Sequence, residues 1–235
     1  MQTNLSDSEL ERSSPAPVRT RPIAWVTWLL VSSTVTVFLM QLHAQSLHGA
    51  DTLGDRLAFS AQAWAEGRSW TLITYAWAHA VAMFGEPDLF WLHIVANMIP
   101  LVFLGPLLED FLGHVAYLGL YLGGAIASAL VWFWFNPQSD EGIIGASGAV
   151  FALIAGVGTA VPREPVVVYL FFVLPIKMSL LVLALLIIGV ELAQMVMGWM
   201  PDVAHTAHLG GAAFGFVYVL IFRVLTRRKA YESAL

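Results

Sequence analysis

Six apolar runs, at residues 23–42, 90–108, 115–135, 147–161, 179–197 and 207–222, limit what this chain can become. A helix of about 20 apolar residues crosses the ~30 Å hydrocarbon layer of a bilayer. Backbone in lipid must satisfy its own hydrogen bonds, so runs of this kind become helices. The expected fold is an all-α polytopic membrane protein, a bundle of six transmembrane helices. Composition agrees: 58% of the residues are hydrophobic and only 11% charged, against roughly a quarter charged in soluble domains. No basic cluster points to nucleic acid. With no cysteine, the chain has no disulfide, no thiolate ligand and no thiol nucleophile.

Between and around the runs the chain is polar. Residues 1–22, with Ser6, Ser8, Ser13, Ser14, Pro15 and Pro17, read as a disordered cytoplasmic tail. Residues 23–225 form one membrane domain, and 226–235 a short basic tail. The first run follows Arg19 and Arg21 without a small-residue cleavage site, so it reads as a signal anchor. Residues 43–89 interleave Asp51, Asp55, Arg56, Glu66 and Arg68 with Trp64, Trp70, Tyr75 and Trp77. Aromatics among charges suit the membrane–water interface, so this is a large first loop with short helices associated with the bilayer. Residues 166–174, between Pro165 and Pro175, are too few to cross and are expected as an interfacial hairpin or extended segment.

Six spans put both termini on one side. Arg12, Arg19, Arg21, Arg163, Lys177, Arg223, Arg227, Arg228 and Lys229 then share that side, and only Arg56 and Arg68 face the other. Basic residues concentrate on the cytoplasmic side, which orients the chain N-in and C-in. A bacterial cytoplasmic membrane, with the site opening to its outer side, is the simplest setting for such a chain.

Parity makes the second, fourth and sixth spans begin in the same leaflet. Their first turns carry His93 and Asn97, then Ser147, then His205 and His208. Strongly polar groups within spans are costly, and they face one another or a water-filled cavity. Spans four and six are also short, so their polar ends should lie below the surface.

These residue types fit acyl chemistry. A serine hydroxyl needs a base, and an imidazole supplies one near neutral pH. Gly145 and Gly148 leave Ser147 open to an approaching chain, while Gly211 and Gly215 share a face with His208 and allow close helix contact. Phe151, one turn past the serine, is placed to pack against the imidazole. His93, Asn97 and the Ser147 amide are the candidate donors to an oxyanion. No aspartate is evidently placed to orient His208, so the reading is a Ser–His dyad.

Each element also has a plainer explanation. Small residues around Ser147 serve helix packing, as do Gly119 and Gly123, and His93 with Asn97 can be an interhelical hydrogen-bond pair. His205 and His208 have the spacing of a metal pair, but no carboxylate other than Asp202 completes a set, so no metal and no cofactor is expected. His43, His48, His79 and His114 read as interfacial or structural. Glu109 is expected to anchor the inner end of the second span against the third. Glu191, within the fifth span, must be paired or face a cavity, with no partner legible.

His93-x-x-x-Asn97 on the second span, Gly145-Ala146-Ser147-Gly148 opening the fourth and Ala207-His208-Leu209-Gly210-Gly211 opening the sixth resemble the rhomboid family of intramembrane serine proteases. The resemblance covers about residues 23–225. It implies Ser147 as nucleophile, His208 as general base, and His93, Asn97 and the Ser147 amide as the oxyanion site. It also implies hydrolysis within or next to transmembrane segments of membrane-protein substrates. Three departures stand out. Trp70 is followed by Thr71 where the family often has Trp-Arg, Phe151 stands where Tyr is common, and the interval 80–92 is long. A catalytically silent rhomboid-like binding or quality-control factor is the alternative. A transporter is a third class, but no internal repeat supports it. Nothing in the sequence sets an oligomeric state.

Overall fold

The computed structural model describes residues 23–82, 87–139, 141–170, 173–201 and 203–232. The tail 1–22 and Asp202 lie outside them. The architecture is helical. α1 (Trp25–His48) leads into three short helices, α2 (Thr52–Leu57), α3 (Ala61–Ala65) and α4 (Thr71–Thr74). Then follow α5 (Leu92–Leu112), α6 (His114–Phe135), α7 (Ser147–Ala160), α8 (Leu180–Met197) and α9 (His205–Glu232). Five of these, all but α7 among the long ones, are long and apolar enough to cross a membrane among the described residues. Among the described residues the strands form two antiparallel pairs and no closed sheet: β1 (Phe59–Ser60) with β2 (Gly142–Ile143), and β3 (Pro165–Leu170) with β4 (Leu174–Ser179).

The helices start and stop where local chemistry dictates. Asp51 and Ser60 accept from Gly54 N and Ala63 N, capping α2 and α3, and Ser179 accepts from Val182 N to cap α8. Gly49 and Gly198, at φ of 70° and 65°, end α1 and α8 in the left-handed conformation. The segment expected as a hairpin or extended chain is the β3–β4 hairpin, with Pro165 opposite Ser179 and Leu170 opposite Leu174. Its mixture of Val, Ile and Tyr suits strands.

α7 is the axis of the molecule. Of its fourteen residues eleven are buried, although no residue on it is larger than Phe. Small side chains let the neighbours come to backbone distance. A Cβ on Gly156 would lie 3.1 Å from Leu108 of α5 and 3.2 Å from Val219 of α9. Cβ atoms on Gly211 and Gly215 would collide with the carbonyl oxygens of Gly148 and Ala152. The α7–α9 seam is therefore backbone against backbone, and dispersion between the close-packed chains holds it. Gly119 and Gly123 likewise face Tyr218 and Phe214 of α9, the packing role expected of them.

Glu109 anchors the end of α5 against α6, as anticipated, and reaches α1 as well. Its carboxylate accepts from Val26 N at 3.0 Å, Thr27 N at 2.9 Å and Thr27 Oγ1 at 2.7 Å, capping the start of α1. His114 Nδ1 of α6 lies 2.6 Å from the same carboxylate. One buried acid thus ties three helices at one end of the bundle, satisfying amides that the first turn of a helix leaves without partners.

Candidate active site

At the opposite end, the chain ahead of α7 is held by the first loop. β1 pairs with β2, the hydroxyl of Tyr75 donates to Ala125 O at 2.7 Å, and the carbonyl of Tyr75 accepts from Gly145 N at 2.9 Å. Gly145 has φ of 115°, which disfavours any side chain, and a Cβ there would lie 2.8 Å from the His93 ring. This turn delivers Ser147 as the first residue of α7, where the helix supplies no acceptor for its N–H.

Ser147 Oγ and His208 Nε2 are 2.7 Å apart. The His208 ring lies parallel to Phe151, with centroids 4.5 Å apart and planes 8° from coplanar. Loss of a hydroxyl at position 151 thus costs nothing in ring support. Gly148 sits against Ser128, whose hydroxyl donates to Ala207 O at 2.7 Å and so fixes the start of α9 against α6.

His93 is oriented by the loop. Ala80 N donates to its Nδ1 at 3.0 Å, so Nε2 carries the proton. That N–H is directed toward the space beside Gly145. Asn97, four residues on, donates from Nδ2 to His93 O at 2.8 Å, while its Oδ1 is buried without a partner among the described residues. Its amide retains one further N–H. Behind them, His79 is fully buried. Its backbone N–H donates to Gln41 Oε1 at 2.9 Å and its carbonyl accepts from Gln41 Nε2 at 3.0 Å. Burial, and secondarily the nearby His93, push the His79 imidazole down to about 3. It is a neutral structural group, with Nε2 accepting from Ala146 N.

A cavity of about 460 Å³ opens over these groups, bounded by His93, Asn97, Ser147, Phe151, Ile187 and His208 among others. Its walls are largely apolar and its polar atoms converge on Ser147. Such a space admits an extended peptide segment with water, and holds a nucleophile, a base and donors together.

Two expectations need correction. The absence of an acidic partner for His208 does not hold: Glu191 Oε1 of α8 lies 2.6 Å from His208 Nδ1 and 2.7 Å from His205 Nδ1. The same finding supplies the carboxylate thought missing from the His205–His208 pair, and the three groups offer ligand-type atoms within 4.8 Å of one another. Their hydrogen bonds already pair all of them. The sequence carries a cue to the depth of Glu191, though none to its partner. In a chain of six spans the fifth runs opposite to the fourth and sixth, so its second half, where Glu191 lies, would share a leaflet with their beginnings.

A family profile described as the Rhomboid domain matches residues 66–224. Among curated proteins, RHOMBOID-like protein 5 of Arabidopsis thaliana is 27% identical over 254 residues, covering 92% of this chain and 76% of the relative. Presenilin-associated rhomboid-like protein A, mitochondrial, of Danio rerio is 32% identical over 140 residues, 59% of this chain and 36% of the relative. RHOMBOID-like protein 1 of Arabidopsis thaliana is 31% identical over 155 residues, with shares of 66% and 35%. The chain spans about three quarters of the first of these relatives and about a third of the other two. Asn97, Ser147 and His208 all fall within a profile match that takes in well over half of the sequence, and the chain belongs to the rhomboid family.

Proposed function

We propose that this multi-pass membrane protein is an intramembrane serine endopeptidase that cuts membrane-protein substrates within or next to their transmembrane segments. The observation that carries the reading is the 2.7 Å approach of Ser147 Oγ to His208 Nε2 at the floor of the cavity. In this mechanism His208 Nε2 takes the hydroxyl proton as Oγ attacks the scissile carbonyl. The developing oxyanion accepts from His93 Nε2–H, the free Asn97 amide N–H and the Ser147 amide. Imidazolium then returns the proton to the leaving amine, and a water repeats the sequence to release the acyl group. A substrate helix hides its amides in hydrogen bonds, so the segment must unwind before it is cut.

The same proposal includes six spans with both termini on the cytoplasmic side. α7 is then the fourth span and brings the count to six, short because protein rather than lipid surrounds it, and the nine-to-two distribution of basic residues gives the orientation. The relatives come from a plant and a fish, and one is named mitochondrial. A bacterial cytoplasmic membrane therefore has no support from them, and the kind of membrane stays within the proposal.

Purified protein in liposomes, given a transmembrane reporter, is expected to cleave it and to be labelled by a fluorophosphonate at Ser147. Ser147→Ala and His208→Ala should each lower turnover by at least about 1,000-fold while remaining folded. Cleavage that persists in either variant removes the mechanism. A folded wild type that neither cleaves nor labels favours a binding or quality-control role instead.

A further inference from the structure

Glu191 is a buried acid on a helix otherwise made almost wholly of aliphatic residues. A single oxygen, Oε1, serves two rings: His208 Nδ1 at 2.6 Å and His205 Nδ1 at 2.7 Å. His205 also directs Nε2 at the carbonyl of Trp199, 2.9 Å away. We propose that Glu191 is the positioning residue for His208, completing a Ser147–His208–Glu191 chain of hydrogen bonds, and that His205 shares the proton that keeps the buried cluster neutral. This rests on the serine-protease reading of the site.

A proton count leads there. A carbonyl only accepts, so His205 Nε2 must carry a hydrogen. The contact between His205 Nδ1 and Oε1 needs a second proton, held by one or the other partner. The contact between His208 Nδ1 and Oε1 needs a third. If His208 supplies that third proton, the three groups carry no net charge and His208 Nε2 is left bare. If the carboxyl supplies it, His205 must be protonated on both nitrogens and His208 on Nε2, giving a net charge of +1. The three side chains are only 9–12% exposed, and an uncompensated charge there is heavily penalised. The neutral arrangement wins. It is also the arrangement in which a lone pair of His208 meets the Ser147 hydroxyl.

Geometry divides the work between two supports. Phe151 fixes the plane of the imidazole by stacking on it. Stacking permits a half-turn about Cβ–Cγ, which returns the ring to the same plane, and the bond to Glu191 removes this freedom. A ring turned end for end would lose both the carboxylate and the serine. α8 thereby contributes to the site although it carries no residue of the sequence pattern that identifies the family.

The test uses the full chain in liposomes with the transmembrane reporter. Glu191→Gln keeps shape and an acceptor oxygen but loses the charge that selects the tautomer. Its kcat is expected to fall by about 100-fold or more, with KM within about threefold. Glu191→Asp should recover at least about tenfold of that loss. Nitrogen-15 NMR of imidazole-labelled wild type is expected to place the His208 proton on Nδ1, in a strong hydrogen bond that Glu191→Gln weakens. A Glu191→Gln variant with kcat within about threefold of wild type overturns the proposal, as does a His208 proton on Nε2 in the resting protein. If Glu191→Gln does not fold, the wild-type spectrum alone decides. A wild type without cleavage or labelling sinks the protease reading, whereas the spectrum still reports on the Glu191 contact, so the two failures are told apart.

Discussion

At the scale of single residues, the site is assembled from groups whose protonation is fixed by what they touch. His93 presents an N–H because Ala80 occupies its other nitrogen. His79 stays neutral because it is sealed from water. That neutrality has a consequence for stability. Below about pH 6.5 the unfolded chain takes up a proton at His79 that the folded chain refuses until about pH 3. Stability therefore declines as pH falls through that window, by up to about 1.4 kcal/mol per unit from this group. Thermal unfolding in detergent from pH 7 to 4.5 should show the decline, and His79→Gln should make it shallower. An equal slope in the variant would assign the acid sensitivity elsewhere. The Ser147–His208 contact and the Phe151 stack were legible in the sequence, because helical spacing and span parity together specify depth and face. The link from Glu191 to both histidines was not, because a lone carboxylate in an apolar run does not name its partner.

Among the elements, the seam between α7 and α9 matters most. Gly215 has the Ala152 backbone where a Cβ would go, and backbone cannot swing aside as a side-chain tip can. Gly215→Ala is expected to destabilise the folded protein by about 1–3 kcal/mol, read as a lower unfolding midpoint in detergent. Gly189→Ala on α8 is the matched control, since nothing lies within 4 Å of its Cβ position. It should leave the midpoint unchanged or raise it slightly, helix propensity favouring alanine. Similar losses in both would mean that the seam is looser than its contacts imply. Helix positions follow the apolar runs closely: α6, α7 and α8 begin or end within a residue or two of the runs at 115–135, 147–161 and 179–197. α1 and α9 extend beyond their runs because helix formation continues through polar residues once nucleated. The pairing of β1 with β2 had no sequence signal, two residues being too short a stretch for any period.

For the whole molecule, the proposal of six spans makes a claim about sides. The cysteine-free chain allows single cysteines to report on it. Glu66, Gln138, Arg163 and Lys177 are all exposed. Cysteine at 66 or 138 should react with an impermeant maleimide added to intact cells, and cysteine at 163 or 177 only after permeabilisation. The reverse pattern would invert the orientation, and a mixed one would break the count of spans. The bundle is held from both ends: Glu109 gathers α1, α5 and α6 at one end, and the first loop clasps the approach to Ser147 at the other.

Because eleven of the fourteen residues of α7 are covered by protein, the serine stands on a post inside a sleeve. In a bilayer most of the surface that meets lipid belongs to the sleeve, not to the post. The height of the hydroxyl is therefore a property of the protein's own packing, set by the glycine seam and the neighbouring walls. Lipid composition acts on that height only by first deforming the helices around it.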